Sequence, residues 1–343
     1  MILKLYVLTL ELVTFKSHDR EQTRKFEGNA LSSIRGFVEG ADEPIWVRVL
    51  NAAYKEYEDW RAITVEEMLL EEKRPNFDFE GRFIAELNGE PVGIAHAHVD
   101  KLRKEKKGFI NNFGIIPEFR GRGVEERLAK VAMDELKRRG MEAAQAWAHY
   151  KRKDRIQLWE KLGFKLVRVF SMMEMNLTNI PSDIGENTEV KIEPLRRSVE
   201  KDIELLNWLG NETFKEHFDY RPSTIEETRY WLLHNPYFKE KEYFFTLLNG
   251  EPVGYIGVGV DEKYNVEKNV KSGVILDIGV LKPYRRRGIG TRLMLEGLAT
   301  LEAKGMTKAM LGVDDFNPTK ATKLYEKVGF KAIKKDITYE KNL

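Results

Sequence analysis

The hexapeptide NGEPVG occupies residues 88–93 and recurs unchanged at 249–254, an offset of 161. TVEE (64–67) faces TIEE (224–227) at an offset of 160, FRGRG (119–123) faces YRRRG (284–288) at 165, and LWEKLGF (158–164) faces LYEKVGF (324–330) at 166. EMNL (174–177) and EKNL (340–343) close the series. A single coincidence of this kind would carry little weight. Five in the same order, with a slowly drifting offset, describe a tandem duplication of a module of about 150 residues. The chain must then fold as two similar bodies, and 343 residues suffice for two cores of ordinary size.

The boundary falls in TNIPSDIGENTE (178–189), which is polar, carries Pro181 and Gly185 and precedes the strand-like VKIEPL. This gives a first module at 31–177, a linker at 178–189 and a second module at 190–343, with residues 1–30 left as an extension without a counterpart. The extension begins MILKLYVLTLELVTF, which is interrupted by Lys4 and Glu11 and is too short to span a bilayer. No small-residue cleavage site follows, so it is expected to form an extra β-strand rather than a signal peptide.

Cysteine is absent, which excludes disulfides, thiolate metal sites and cysteine nucleophiles, and fits a reducing cytoplasm. A net charge of +2 gives no reason to expect nucleic acid or an anionic membrane as a partner. The most basic stretch, KLRKEKKG (101–108), has no interleaved aromatics and reads as a solvated hairpin tip. No histidine and carboxylate spacing suggests a metal.

In the second copy, EYFFTLL and PVGYIGVGV are strand-like runs joined by an Asn-Gly turn. SGVILDIGVL is a third strand, apolar on both faces except at Asp277, and should be covered on both sides. After KPYRRRGIG, apolar residues recur at Leu293, Met294, Leu298 and Leu301 with helical spacing, and Gly305 is placed to end that helix. KAMLGV, a short helix in NPTKATKLYEKVGF and the strand KAIKKDITYE complete an α/β module with a mixed sheet.

A strand that enters a glycine-rich turn and then a helix presents unpaired N–H groups at the positive helix end, a ready site for phosphate. Gly288 and Gly290 let the backbone approach an anion, and Arg285, Arg286 and Arg287 add cationic donors. With NPTKATKLYEKVGF about thirty residues further on, the segment resembles the GCN5-related N-acetyltransferases, or GNAT family, which move an acyl group from coenzyme A to an amine. The cofactor loop Arg/Gln-x-x-Gly-x-Gly/Ala is matched by Arg285, Gly288 and Gly290. The later segment is matched by Asn317, Ala321, Tyr325, Gly329 and Phe330, and the resemblance covers nearly all of residues 188–343.

The resemblance implies two tandem GNAT-like domains, each a mixed, mostly antiparallel sheet with helices on both faces. It implies acetyl-CoA as co-substrate and no metal. The loop around Arg286, Arg287, Gly288, Ile289, Gly290 and Thr291 would hold the pyrophosphate, with Arg285 completing the motif. Backbone groups of Val280 and Leu281 would bond the pantetheine arm and polarise the thioester, Asn317 would steady the arm, and Tyr325 would protonate the departing thiolate. Asp277 is the obvious carboxylate for a general base, with ordered water, a cation-binding role or a structural network as alternatives.

Carried back by the offsets, Gly290, Asn317, Tyr325 and Asp277 become Glu125, Lys151, Trp159 and Asn112. Glu125 sets a carboxylate where a pyrophosphate would lie, and an indole has no acidic proton suited to a thiolate. The first copy is thus expected to keep its fold and to be structural or substrate-shaping but not catalytic, with weak ligand binding through RGRG left open, a layout similar to tandem members with one silent half, such as mycothiol synthase, whose substrate is not carried over. The acceptor should be shaped by NETFKEHFDYRPSTIEETRYWLLHNPYF, rich in aromatics that include Phe214, Phe218, Tyr220, Tyr230, Trp231 and Tyr237. Most of these rings are expected to face the core of two helices, and His217 and His234 to serve as surface or capping residues.

The function expected is acetyl transfer from acetyl-CoA to a primary amine by direct attack in a ternary complex. A non-catalytic acyl-CoA-binding or scaffolding protein, and a protein or peptide acetyltransferase rather than a small-molecule one, stay open.

Overall fold

The computed structural model describes residues 32–181, 187 and 189–343. The strand expected in residues 1–30 lies outside the described residues, as do 182–186 and 188 of the linker. The first module runs β1 (Ser32–Gly36), α1 (Glu43–Tyr54), α2 (Val65–Glu72), β2 (Arg82–Leu87), β3 (Glu90–Val99), β4 (Lys107–Ile115), α3 (Val124–Arg138), β5 (Ala143–His149), α4 (Lys153–Lys161) and β6 (Lys165–Asn176). The second repeats it as β7 (Lys191–Pro194), α5 (Glu200–Phe214), α6 (Ile225–His234), β8 (Glu240–Leu248), β9 (Glu251–Val260), β10 (Ser272–Val280), α8 (Ile289–Ala303), β11 (Lys308–Asp314), α9 (Ala321–Val328) and β12 (Lys331–Asn342). The insertion before β10 carries a further helix, α7 (Glu262–Lys268), capped by the Asp261 side chain.

The repeated motifs have local physical causes. In NGEPVG, both Asn88 and Gly89 have positive φ (53° and 79°), as do Asn249 and Gly250 (53° and 85°), so each turn is the two-residue kind whose twist matches its strands. TVEE and TIEE are capping boxes: the Thr64 hydroxyl accepts from the Glu67 N–H and the Glu67 carboxylate accepts from the Thr64 N–H, with Thr224 and Glu227 doing the same at α6.

The strands form one sheet of twelve, in the order β1-β2-β3-β4-β5-β12-β6-β11-β10-β9-β8-β7. The order is the same from either end once each strand is exchanged for its repeat partner, so an approximate two-fold axis passes between β12 and β6. The closing strands are traded. Asp336–Asn342 of β12 pair antiparallel with His149–Ala143 of β5, and Asn176–Phe170 of β6 pair with Lys308–Asp314 of β11. The trade reaches the cores: Met173 and Met175 of β6 pack with Leu293, Leu298 and Val328 of the second module, whereas Tyr339 of β12 packs with Leu128, Trp159 and Phe164 of the first.

Ion pairs repeat the exchange. Arg61 bonds Glu67 within its own module (2.9 and 3.0 Å) and Asp261 of the other (2.8 Å). Its repeat partner Arg221 bonds Glu227 (2.6 Å) and, across the modules, Asp100 (2.7 Å). The glutamate that closes each capping box thus also orients the arginine that ties the two modules together. The basic stretch expected to be solvated joins this contact, since Arg103 donates to the Asp219 carbonyl at 2.7 Å and the Lys107 ammonium meets the Asp219 carboxylate.

Because each sheet is completed by the other module, chemical denaturation should give a single transition with coincident tryptophan fluorescence and far-ultraviolet circular dichroism. Arg61→Ala takes the cation from half-buried Asp261 and leaves buried Glu67 with Lys263 alone (2.8 Å), and should cost about 2 kcal/mol in that experiment. Two separable transitions would contradict the exchange.

Candidate active site

β10 and β11 run parallel and pair only at Ser272–Val274 with Lys308–Met310. Beyond this point they splay, and the β10 edge turned away from β9 has no strand to bond. Which backbone groups remain there follows from alternation along the strand. The Leu281 N–H points the other way and is spent on the Val253 carbonyl at 2.9 Å, so of the two residues expected to polarise a thioester only Val280 turns its N–H into the splay. The Val280 carbonyl accepts from Arg285 Nε at 2.9 Å.

That bond defines the role of Arg285. Its guanidinium also reaches Glu216 (2.9 Å) and the Thr213 carbonyl (3.2 Å), so it buttresses the loop from behind instead of facing an anion. Arg286 takes the left-handed φ of 65°, reaches the Thr319 carbonyl at 3.3 Å and is exposed, and Arg287 is exposed beside the Tyr284 ring. Gly288 is left-handed (φ 77°) and caps α8 without a side chain. The first helical bond is Arg292 N–H to the Gly288 carbonyl at 3.0 Å, so the N–H groups of Ile289, Gly290 and Thr291 at the positive helix end have no acceptor among the described residues. Asn317 is buried and its side-chain oxygen accepts from the Thr319 N–H (2.8 Å), shaping the turn before α9.

Two sequence-selected groups converge on the splay. Asp277 lies on β10, and burial pushes its carboxyl up to about 6. Tyr325, on α9, is buried, and both burial and the Asp277 charge raise its hydroxyl pKa well above the ordinary phenol range. Asp277 is nonetheless partly open to a cavity of about 440 Å³ that straddles the two-fold axis. All the aromatics singled out from Phe214, at the end of α5, to Tyr237 line it, so they face a cleft and not only a core. His217 lines it too and is not a plain surface residue; burial and the neighbouring Arg285 lower its pKa to about 4, leaving it neutral at physiological pH. His234 is exposed at the end of α6.

Many lining positions are pairs related by the repeat, and their sizes differ. The first module contributes Trp46, Leu50 and Trp60 where the second has Leu206, Gly210 and Tyr220. The space therefore lies toward the second module. The ladder also shifts one assignment: Gly257 faces Asp277, and its repeat partner His96 faces Asn111, so Asn111 rather than Asn112 takes the place of Asp277. The cause is a β-bulge that falls at different residues in the two copies.

In the first copy the corresponding groove is filled by its own side chains. The loop keeps its shape, with Gly121 at φ 72° and Gly123 at 79°, and Arg120 repeats the buttress by donating to the Ile115 carbonyl at 3.0 Å. The Glu125 carboxylate accepts from the Gly121 N–H at 3.0 Å, so an internal anion occupies the loop. In the β4–β5 splay, the Phe113 carbonyl is bonded by Arg155 (2.8 Å) and Tyr54 (2.9 Å), and fully buried Trp159 donates to the Trp147 carbonyl at 3.0 Å. Arg155 stands where the second copy has Ala321. That contrast was visible in the motif alignment, since a long cation replaces a methyl group beside the groove. Lys151, in the place of Asn317, pairs with Glu58 at 2.8 Å.

One cluster has no sequence signal: Asp78, His96 and His98 are buried together with ligand-capable atoms within 4.8 Å of each other. Both Asp78 oxygens are already engaged, by Arg139 (2.8 and 2.9 Å) and the Val99 N–H (2.7 Å). A guanidinium held this closely opposes a dication, and the cluster reads as a buried polar network. Among the described residues no helix is long and apolar enough to cross a membrane.

The model of the acetyltransferase (GNAT) family matches residues 46–164 and again 204–330. A mycothiol acetyltransferase of Thermomonospora curvata is 30% identical over 132 residues, spanning 38% of this chain and 43% of that protein. Another, of Thermobispora bispora, is 28% identical over 230 residues, spanning 66% and 74%. Among solved structures, a tandem GNAT protein from the clavulanic acid biosynthesis pathway superposes with a TM-score of 0.70 at 10% identity, covering 91% of this chain and 98% of that one. A GCN5-related N-acetyltransferase of Sphaerobacter thermophilus gives 0.66 at 20% identity, covering 91% and 95%. These likenesses establish the fold, and two family matches in one chain, each on one copy of the repeat, establish the family. The chain belongs to the GNAT family as a tandem member.

Proposed function

We propose that the protein transfers an acetyl group from acetyl-CoA to a primary amine, with the chemistry confined to the second module. The observation that carries this reading is the contrast between the two splays: the first is filled by Tyr54, Arg155, Trp159 and Glu125, while the second is bordered by Ala321, Gly290, Tyr325 and Asp277. The orphan N–H groups of Ile289, Gly290 and Thr291, with Arg286 and Arg287 nearby, suit the pyrophosphate, and the edge of β10 beside Asn317 suits the pantetheine arm.

Each residue then has a role that balances the reaction. Asp277 takes the proton from the acceptor ammonium, so that the nitrogen lone pair can attack the thioester carbon. The Val280 N–H faces the oxygen on which charge develops. Tyr325 gives its proton to coenzyme A sulfur as the carbon–sulfur bond breaks. A raised phenol pKa keeps Tyr325 protonated until a stronger base, the leaving thiolate, arises beside it. The enclosure of the cleft by both modules favours a small amine over a protein tail. The likeness to mycothiol acetyltransferases supports acetyl transfer and is not extended to the identity of the amine.

Calorimetric titration with acetyl-CoA should give one site per chain, abolished by Gly290→Glu. Two sites would mean that the first copy also binds, and no binding would sink the transferase reading. In a thiol-release assay across an amine panel, Tyr325→Phe should lower kcat about a hundredfold with coenzyme affinity kept. A flat trace for every amine with binding intact would favour the non-catalytic alternative.

The pH dependence has a defined sign. Asp277 is active as the carboxylate, so kcat/KM should rise with pH through a midpoint near the value of about 6 set by burial, and Asp277→Asn should remove that limb. A limb that survives in Asp277→Asn would assign the base elsewhere.

A further inference from the structure

Three residues on adjacent antiparallel strands stand in one row. Tyr243 of β8 is the ladder partner of Gly257 of β9, and Gly257 is the partner of Asp277 of β10. Side chains of direct partners share a face, so Tyr243 and Asp277 point the same way with one strand between them. The middle residue decides whether they can meet. A Cβ on Gly257 would lie 2.3 Å from Tyr243 Cε1 and 2.6 Å from Cζ, so the phenol ring occupies the space that any other residue would fill. Across this gap the Tyr243 hydroxyl reaches Asp277 Oδ2 at 3.2 Å.

The direction of the bond is fixed by a third group. Trp231 Nε1 lies 3.2 Å from the Tyr243 oxygen, and an indole N–H can only donate. The phenol oxygen therefore accepts from Trp231 and turns its own proton to the carboxylate. Tyr243 is 3% exposed and packed in the apolar cluster under α5 and α6, so the ring has little freedom to leave. In the first module the same ladder positions hold Arg82, His96 and Asn111, and Trp231 corresponds to Glu71. None of the four groups is retained where the chemistry is absent.

We propose that Tyr243, aimed by Trp231 and given room by Gly257, is a positioning residue that holds the Asp277 carboxylate at the acceptor end of the cleft. The proposal rests on the acyl-transfer reading above. It gives the carboxylate one fixed oxygen, Oδ2, and leaves Oδ1 to meet the incoming ammonium. Among the described residues, the other titratable groups around this end of the cleft are Tyr255 of β9, Tyr325 of α9, Asp314 of β11 and His217 after α5, while Lys241 of β8, lowered to about 7 by burial, lies 5.8 Å from the Trp231 ring. Tyr255 and Tyr325 stay neutral through the pH range of interest because burial and the Asp277 charge both raise them. His217, lowered to about 4, is neutral there as well. Asp314 is raised by burial and is the one neighbour that could be confused with Asp277.

The experiment is a titration of the full chain carrying carbon-13 at its aspartate carboxyls, read by NMR, with Asp277→Asn to assign the signal and exclude Asp314. It is paired with the pH profile of kcat/KM. In Tyr243→Phe the midpoint of Asp277 should move up by about one pH unit, because the hydrogen bond favours the charged form and its loss disfavours it. The acid limb of the rate profile should move with it. Gly257→Ala, which displaces the ring, should reproduce the shift with Tyr243 still present. Trp231→Phe, the mildest change, should give a smaller shift of the same sign and serves if either of the others fails to fold. An unmoved carboxyl signal in folded Tyr243→Phe would overturn the proposal. A carboxyl that moves while the rate profile stays would support the positioning role and instead remove Asp277 as the base.

Discussion

β12 lies between β5 and β6 of a module to which it does not belong in sequence, and β6 in turn lies against β11. Everything else about how the two modules share their cores depends on that exchange. The methionines of β6 fill the core beneath α8, so the second module cannot be completed without the first. A first copy attached by a flexible tether could vary freely. Here it is bound to remain folded, because its last strand is part of the sheet that carries Asp277 and Val280. The arginine triads act in the same sense, since Arg61 and Arg221 each satisfy a glutamate at home and an aspartate across the axis. Removing one partner would strand a buried charge, which costs more than the pair itself contributes.

Within that constraint the first copy's groove is filled by single side chains around a loop whose backbone matches that of the second copy. Gly121 and Gly123 still hold the loop in the conformation that Arg286 and Gly288 adopt in the second copy, and both loops lean on a buttressing arginine. The groups that close the groove are complementary to what they displace. A carboxylate takes the loop amide that an anion would use, and a guanidinium takes a strand carbonyl in the splay. Burying these polar groups is tolerable because each finds a partner. An empty groove in a silent module would leave unpaired backbone groups and a void, so its filling also serves the stability of the shared sheet.

Much of this was legible in the sequence wherever the signal is local. The Asn-Gly turns, the capping boxes, the glycine loop and the helix bearing Tyr325 each depend on residues within a few positions of one another, and they stand where the spacing put them. The exchange of β6 and β12 was not legible. Both strands carry the pattern of a closing strand, and alternation says which face is buried without saying which sheet is joined. The same limit hid the Tyr243–Gly257–Asp277 row, which exists only through strand register, and it placed Asn112 where the ladder puts Asn111. Leu281 turns its N–H away from the splay for a related reason: the family motif names the residue, but alternation along β10 decides which way its N–H points. Arg103 and Lys107 looked solvated because charge density was visible and their partner Asp219, in the other module, was not.

The position of the two-fold axis explains why one copy, and not both, has an open groove. The cleft straddles the axis, and residues at equivalent positions of both modules line it. Two working splays would open into one volume of about 440 Å³, so two acceptors would compete for the same space. Trp46, Leu50 and Trp60 take up the first module's share, whereas Leu206 and Gly210 leave room on the other side. A cavity of this size suits one small ligand with a few polar anchors. With its own groove filled, the face of the first copy forms one wall of the cleft onto which Asp277 of the second opens.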